Sequence, residues 1–212
     1  MENIMKKNFE ILYSGKIPES YIGMYDENNN KFYEYCEYIL TRDEYINSFG
    51  FVLVAKDWVK IISKLIGTRG TRCLEVMAGT GLLSKALIDC GVNMITTDNL
   101  SWENKHQYAW KQHWCDIEQL DAVSSIKKYG KNVNYIIMSF PYMDETATYC
   151  LHIMRKVNPQ CKLIFIGEAF GGCTASDSFF AQAKKIENEI ISKANDKYCR
   201  FPYMHDKIYL FA

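Results

Sequence analysis

The chain has no long uninterrupted apolar stretch, no Cys-x-x-Cys pair and no net charge, and each absence removes a class of protein. A membrane-spanning helix needs roughly 20 consecutive apolar residues. Residues 1–14 instead mix Glu2, Lys6, Lys7 and Glu10 with apolar side chains, so neither a signal peptide nor a membrane span is expected. Eight cysteines without paired spacing read as buried thiols rather than as a disulfide framework or a zinc site. The four histidines, His106, His113, His152 and His205, lack ligand spacing as well, so no metal is expected. Basic and acidic residues number 25 each. Proteins that grip long nucleic acids draw most of their affinity from neutralising phosphates, so extended nucleic-acid binding is disfavoured. No internal repeat or low-complexity linker is present. The expected location is the cytoplasm.

What is present is an ordinary globular composition, 48% hydrophobic and 24% charged, over 212 residues. That length suits one domain with a substantial core. Residues 1–50 form an aromatic-rich helical extension. It carries Tyr21, Tyr25, Tyr33 and Tyr38, a turn at Asn28, Asn29 and Asn30, and a helix over 32–46. This extension is either a lid over a pocket or a helical layer packed on a sheet. A helix marked by Val54, Trp58, Ile61, Ile62 and Leu65 follows. Strands are then expected over 73–77, 92–97, 112–115, 133–139 and 162–166, alternating with helices over 82–90, around Leu120, Val123 and Ile126, and around Ala147, Leu151 and Met154. Phe179, Ala183, Ile186 and Ile190 mark a last long helix, and two short strands, 198–201 and 207–211, close the chain. Alternating strands and helices imply a mostly parallel sheet with right-handed crossovers and helices on both faces. Such sheets bind ligands beyond the carboxyl ends of their strands.

The octet Leu74-Glu75-Val76-Met77-Ala78-Gly79-Thr80-Gly81 is the most informative segment. Gly79 and Gly81 fall where a strand turns sharply into a helix, where a side chain would block the close approach of a ligand. The helix start behind them offers backbone N–H groups. Asp98, at the end of the next strand, is placed to accept hydrogen bonds from two ribose hydroxyls. A dinucleotide site uses the same devices, but its third glycine position here is Ser84. Glu75 beside the turn opposes phosphate and favours a cationic ligand. The alternative is a tight turn and a loop cap without a ligand.

The segment from Glu75 to Gly81 resembles the first motif of the class I S-adenosylmethionine-dependent methyltransferases, acid-x-x-x-Gly-x-Gly. Asp98 resembles the acid of their second motif, and Cys115-Asp116-Ile117 the segment that contacts adenine. The resemblance covers residues 51–212 and implies a Rossmann-like, mostly parallel seven-stranded sheet with an antiparallel C-terminal strand pair. It implies S-adenosylmethionine as cofactor, held by Glu75, Ala78, Gly79, Thr80, Gly81, Asp98, Asn99 and Asp116. Trp102 is a candidate cover for the adenine, while Trp110 and Trp114 read equally as core or rim. Ser139-Phe140-Pro141-Tyr142 resembles the Asn/Asp/Ser-Pro-Pro-Tyr motif of amino-group methyltransferases, with Phe140 in place of the first proline. Ser139 and Tyr142 are therefore candidate catalytic residues, and Glu168 is a third because its place just beyond the strand at 162–166 faces the same crevice, beside a loop through Gly171 and Gly172. The implied activity is methyl transfer to a small molecule or an exposed amino group. The alternatives are a nucleic-acid or protein amino-methyltransferase and a non-catalytic binding protein.

Overall fold

Three near-continuous apolar runs make the centre of the molecule. In the computed structural model, which describes residues 4–23, 32–67, 70–105 and 112–212, these runs are the strands β1 (Arg72–Val76), β4 (Tyr135–Ser139) and β5 (Lys162–Gly167). They lie side by side and parallel, with Leu74 opposite Ile136 and Ile136 opposite Leu163. Strands buried on both faces lose the usual apolar–polar alternation, which is why the sequence reads as solid blocks. β2 (Asn93–Asp98), β3 (Glu118–Gln119) and β6 (Lys207–Phe211) complete a six-stranded sheet in the order β3-β2-β1-β4-β5-β6, with β6 antiparallel to β5.

Period-two geometry divides the apolar side chains between two layers. Ile137, Ile164 and Ile166 face a layer made by α1 (Ile4–Tyr13), α2 (Phe32–Ser48), α3 (Lys56–Ile66), α4 (Leu82–Asp89) and α9 (Glu189–Asn195). Ile136, Met138, Leu163 and Phe165 face α6 (Ala122–Tyr129), α7 (Thr146–Val157) and α8 (Asp177–Gln182). The short α5 (Ser101–Lys105) follows β2 beyond the carboxyl edge. No helix among the described residues is long and apolar enough to cross a membrane.

The described residues before 51 contribute to the first layer. Met5, Leu12, Tyr21 and Tyr45 are essentially inaccessible to solvent. The Tyr45 hydroxyl donates to the Val52 carbonyl at 2.9 Å and accepts from the Val54 N–H at 3.3 Å, stitching the end of α2 to the chain entering α3. Tyr25, the Asn28–30 turn, His106 and Trp110 lie outside the described residues, as do the side chains of Tyr33 and Tyr38.

Three expectations are corrected. The third strand is not at 112–115. The Trp114 N–H donates to the Thr80 carbonyl at 2.9 Å, so this segment climbs over the glycine turn. Pairing with β2 begins only at Glu118, opposite Thr97. The last long helix is two helices. Ser176 caps α8 and Asn188 caps α9 with its side-chain oxygen. Between them the Ile186 N–H donates to Leu210 at 2.8 Å, so the helical spacing of Ile186 is broken by the pull of a sheet edge.

The sheet accordingly has six strands among the described residues rather than seven. Residues 198–201 form no strand, because the Tyr198 N–H continues α9 by bonding Ala194 and its ring packs edge-on against Trp58. The free edge of β6 is covered instead by 184–186, through a bridge from Lys185 to Phe211 and a bond from the Ala212 N–H to Lys184.

Candidate functional site

Strand order reverses between β1 and β4, so the crevice expected to hold a ligand lies beyond their carboxyl ends. Backbone strain gathers at the same edge. Met77, Leu100, Phe140 and Phe170 take positive φ values of 55°, 55°, 46° and 41°, and they follow β1, β2, β4 and β5 respectively. Each such residue costs about 1–3 kcal/mol, and such costs are tolerated mostly where a site requires the geometry.

The turn after β1 is held from below and behind. The Ala78 N–H donates to Thr97, the Gly79 N–H to Asp98 Oδ2 at 2.8 Å, and the Gly81 N–H to Ala78. Thr80 is buried, with its hydroxyl donating to Phe49 at 2.8 Å. Three amides of the turn are thus consumed within the protein. Fewer donors remain for an anion than the sequence suggested, which argues against a phosphate cradle. Gly81 (φ +76°) is required by the protein itself. A Cβ there would meet Cys115 Sγ at 2.8 Å and Ile117 Cδ1 at 3.1 Å. No sequence pattern announced that the 114–117 segment closes over this glycine.

Asp98 is the hub. Besides the Gly79 amide, it accepts from the Leu100 N–H at 2.7 Å and from Trp102 Nε1 at 3.1 Å, both on Oδ1. A carboxylate has about four acceptor positions, so these donors leave little spare capacity. Burial pushes its carboxyl above the usual range, while the three donors act in the opposite direction. Asn99 is exposed and caps the N–H of Ser101 at 2.9 Å, and Asp116 is exposed nearby. Trp102 packs edge-on against His113, which hydrogen-bonds Glu103 at 2.8 Å. His152 bonds Gln182, and His205 contributes its backbone N–H to Glu168.

Glu75 lies one layer deeper and is only 2% exposed, with the Ser84 hydroxyl donating to its Oε2. Burial raises its carboxyl to about 7 from 4.5, with the hydrogen bond from Ser84 pulling the other way. The folded chain therefore binds this proton more tightly than the unfolded chain does. Stability should fall as pH rises from about 4.5 to about 7 and then level off, a loss on the order of 3 kcal/mol. Glu75→Gln should remove that decline. Urea midpoints compared across this interval provide the check, and an identical pH profile in the variant would contradict it.

Ser139 ends β4 with a buried Oγ that has no hydrogen-bond partner among the described residues. Buried orphan hydroxyls are uncommon and call for an explanation, of which a ligand is one. The next residue departs from the motif it resembles for a visible reason. Phe140 has φ 46° and its N–H donates to Ile166 at 2.8 Å. Proline can do neither. Its ring stacks on Phe51, with centroids 5.7 Å apart and planes 17° from parallel. The Pro141 carbonyl accepts from the Ala175 N–H at 3.1 Å, and Tyr142 stands 62% exposed.

Glu168 is buried and fully engaged. Oε1 accepts from the His205 N–H at 2.7 Å and Oε2 from the Cys173 N–H at 3.0 Å, while its carbonyl accepts from the Thr174 hydroxyl at 2.7 Å. Burial opposes its charge, but the two backbone donors prevail and hold the carboxyl below the usual range. Gly172 permits this approach, since a Cβ there would sit 2.3 Å from Glu168 Cβ. Glu168 thereby ties the loop after β5 to the turn before β6.

No family model and no curated protein sequence matches the chain. Solved structures give weak similarities. A putative RNA methyltransferase from Pyrococcus horikoshii is 13% identical, with 96% of this chain and 97% of that one covered and a TM-score of 0.45. Human N-acetylserotonin methyltransferase, solved with S-adenosylmethionine, is 10% identical over 99% of this chain, at TM-score 0.44. A methyltransferase from Agrobacterium tumefaciens is 13% identical over 74%, at TM-score 0.39. The chain spans only 66% and 59% of the length of the last two. The strand order β3-β2-β1-β4-β5-β6 with its antiparallel last member gives the chain a Rossmann-like α/β fold.

Proposed function

We propose that this chain is an S-adenosylmethionine-dependent methyltransferase acting on a small molecule or an exposed amino group. The observation that carries this reading is the latch between the Gly79 amide and Asp98 at the point where strand order reverses. It sets the Asp98 carboxylate, to which this reading gives the sugar, directly beside a glycine turn whose amides are largely spoken for. A pyrophosphate needs those amides, whereas a nucleoside with a cationic tail does not. In this reading Asp98 and Asn99 take the ribose, Asp116 lies toward the adenine, and residues 78–81 line the amino-acid end above Glu75. When bound, the cofactor supplies a methyl group already activated on a cationic sulfur.

The chain's own work is then positioning and exclusion of water. The orphan Ser139 hydroxyl is the group free to hold an acceptor atom in line, and Tyr142 stands at the rim. Glu168 is assigned a positioning role instead of that of a base. Both its oxygens are occupied and its proton affinity is lowered, which suits a fixed anchor better than a proton acceptor. The reading of 139–142 as an amino-methyltransferase motif has no support in the conformation of Phe140.

For Asp98 to receive two ribose hydroxyls, Trp102 Nε1 must let go of Oδ1. S-adenosylmethionine should therefore bind with measurable heat and change tryptophan emission. Trp102→Phe should still bind but lose most of the optical signal. Calorimetry and fluorescence titration check both expectations. Absence of heat with S-adenosylmethionine and with its demethylated product would remove the proposal.

A further inference from the structure

Trp114 brings an unclaimed donor to the glycine turn. Its backbone N–H donates to the Thr80 carbonyl at 2.9 Å, and its ring centroid lies 6.4 Å from that of Phe49. The Thr80 hydroxyl donates to the Phe49 carbonyl, so Thr80, Phe49 and Trp114 form one contact group. The next residue, Cys115, sets its Sγ 3.5 Å from the Gly81 carbonyl. Trp114 is 8% exposed, and its Nε1 is buried without a hydrogen-bond partner among the described residues. We infer that this N–H binds the carboxylate at the amino-acid end of the ligand. The inference rests on the S-adenosylmethionine reading and adds a binding residue to it.

Buried polar atoms without a partner are uncommon, and a missing ligand is one explanation for them. Four side-chain atoms are of this kind among the described residues: Tyr21 Oη, Asp57 Oδ2, Trp114 Nε1 and Ser139 Oγ. Tyr21 and Asp57 belong to the helical layer, the first edge-on to Tyr45 and the second in the first turn of α3. Trp114 and Ser139 instead stand at the carboxyl edge, one against the turn after β1 and the other ending β4. Ser139 is given the acceptor atom, which leaves Trp114 for the other end of the ligand.

An amino-acid end carries an ammonium and a carboxylate, which need opposite surroundings. Glu75 beneath the turn suits the ammonium and repels the carboxylate. The nearby donors are largely engaged. The amides of Ala78, Gly79 and Gly81 bond Thr97, Asp98 and Ala78, and the Thr80 hydroxyl bonds Phe49. Lys85, in the first turn of α4, is held by Asp89 at 2.6 Å. An indole N–H is a donor only, so an acceptor atom is the group that satisfies it.

The test uses the full chain with S-adenosylmethionine and its decarboxylated analogue, which keeps the ammonium and lacks only the carboxylate. Wild type should bind S-adenosylmethionine about tenfold more tightly, as expected for a hydrogen bond to a charged group. Trp114→Phe should bind the two about equally by calorimetry. The comparison cancels whatever the smaller ring costs in packing, because both ligands meet the same altered wall. No preference in wild type, or the same preference in both proteins, overturns the inference and leaves the methyltransferase reading in place. Wild type that binds neither ligand removes that reading and this inference with it. Should Trp114→Phe fail to fold, nitrogen-labelled wild type decides by its indole N–H resonances. Trp102 should respond to both ligands, since both carry the ribose, whereas a second indole should move downfield with S-adenosylmethionine alone. Indole resonances that respond identically to the two ligands overturn the inference.

Discussion

Asp98→Ala is expected to abolish S-adenosylmethionine binding and to lower folding stability by about 3 kcal/mol, because one side chain serves three donors, two of them in buried hydrogen bonds and the third half-buried. The alanine variant leaves the amides of Gly79 and Leu100 and the indole N–H of Trp102 without their acceptor. Orphaned buried donors cost about 1–3 kcal/mol each, and water entering the gap recovers part of that. Asp98→Asn separates the contributions. Its remaining oxygen still serves Leu100 and Trp102, while its amide nitrogen faces the Gly79 N–H donor to donor. It should fall between wild type and alanine in urea midpoint, yet bind cofactor no better than alanine does, since the turn is no longer latched. Urea unfolding and calorimetry on both variants decide the matter. Wild-type stability in Asp98→Ala would show that the glycine turn holds itself without the carboxylate.

The parts of this arrangement legible in the sequence are those set by local periodicity and by residue chemistry. Leu74, Val76, Ile136, Ile137 and Leu163 sit in apolar blocks that only buried parallel strands explain, and they form the centre of the sheet. Gly79, Gly81 and Asp98 were recognisable because a sharp turn and an acid one strand later carry their reason in their spacing. The failures are tertiary. Ile186 has helical spacing relative to Phe179 and Ala183, yet its N–H is claimed by Leu210, which lies 24 positions further along. Residues 112–115 read as a strand from composition, but the need to close over Gly81 diverts them.

The same distinction applies within the site. Glu168 was singled out by its place after a strand, and that place holds. Its partners, the amides of Cys173 and His205, come from two loops whose convergence no one-dimensional pattern encodes. Phe140 looked like a damaged proline motif. Its positive φ and its bond to Ile166 show a residue chosen for a conformation proline cannot reach. The ring of Phe51 against it, from a segment nearly ninety positions earlier, was invisible for the same reason.

Removing residues 1–48 should leave a chain that does not fold, rather than an open-pocketed enzyme. The lid idea requires a front part that can leave the core intact, and the packing argues otherwise. Met5, Phe9, Leu12, Ile17, Tyr21 and Tyr45 are all buried in the layer that also holds Trp58, Leu83 and Ile137. Each large apolar side chain fully buried contributes roughly 1.5–3 kcal/mol. Six of them together match or exceed the whole stability of a typical domain, about 5–15 kcal/mol. Truncation also strips the Tyr45 hydroxyl from Val52 and Val54, and leaves Phe49 and Thr80 without the layer that covers them. The shortened chain should therefore show no cooperative thermal transition by circular dichroism and no dispersed amide spectrum. A milder probe, Tyr45→Phe, keeps the ring and removes only the hydroxyl. It should cost about 1–2 kcal/mol in urea unfolding while leaving cofactor affinity unchanged. A truncated chain that unfolds cooperatively and still binds S-adenosylmethionine would make the front segment a detachable cover, and the layered core would have to be redrawn without it.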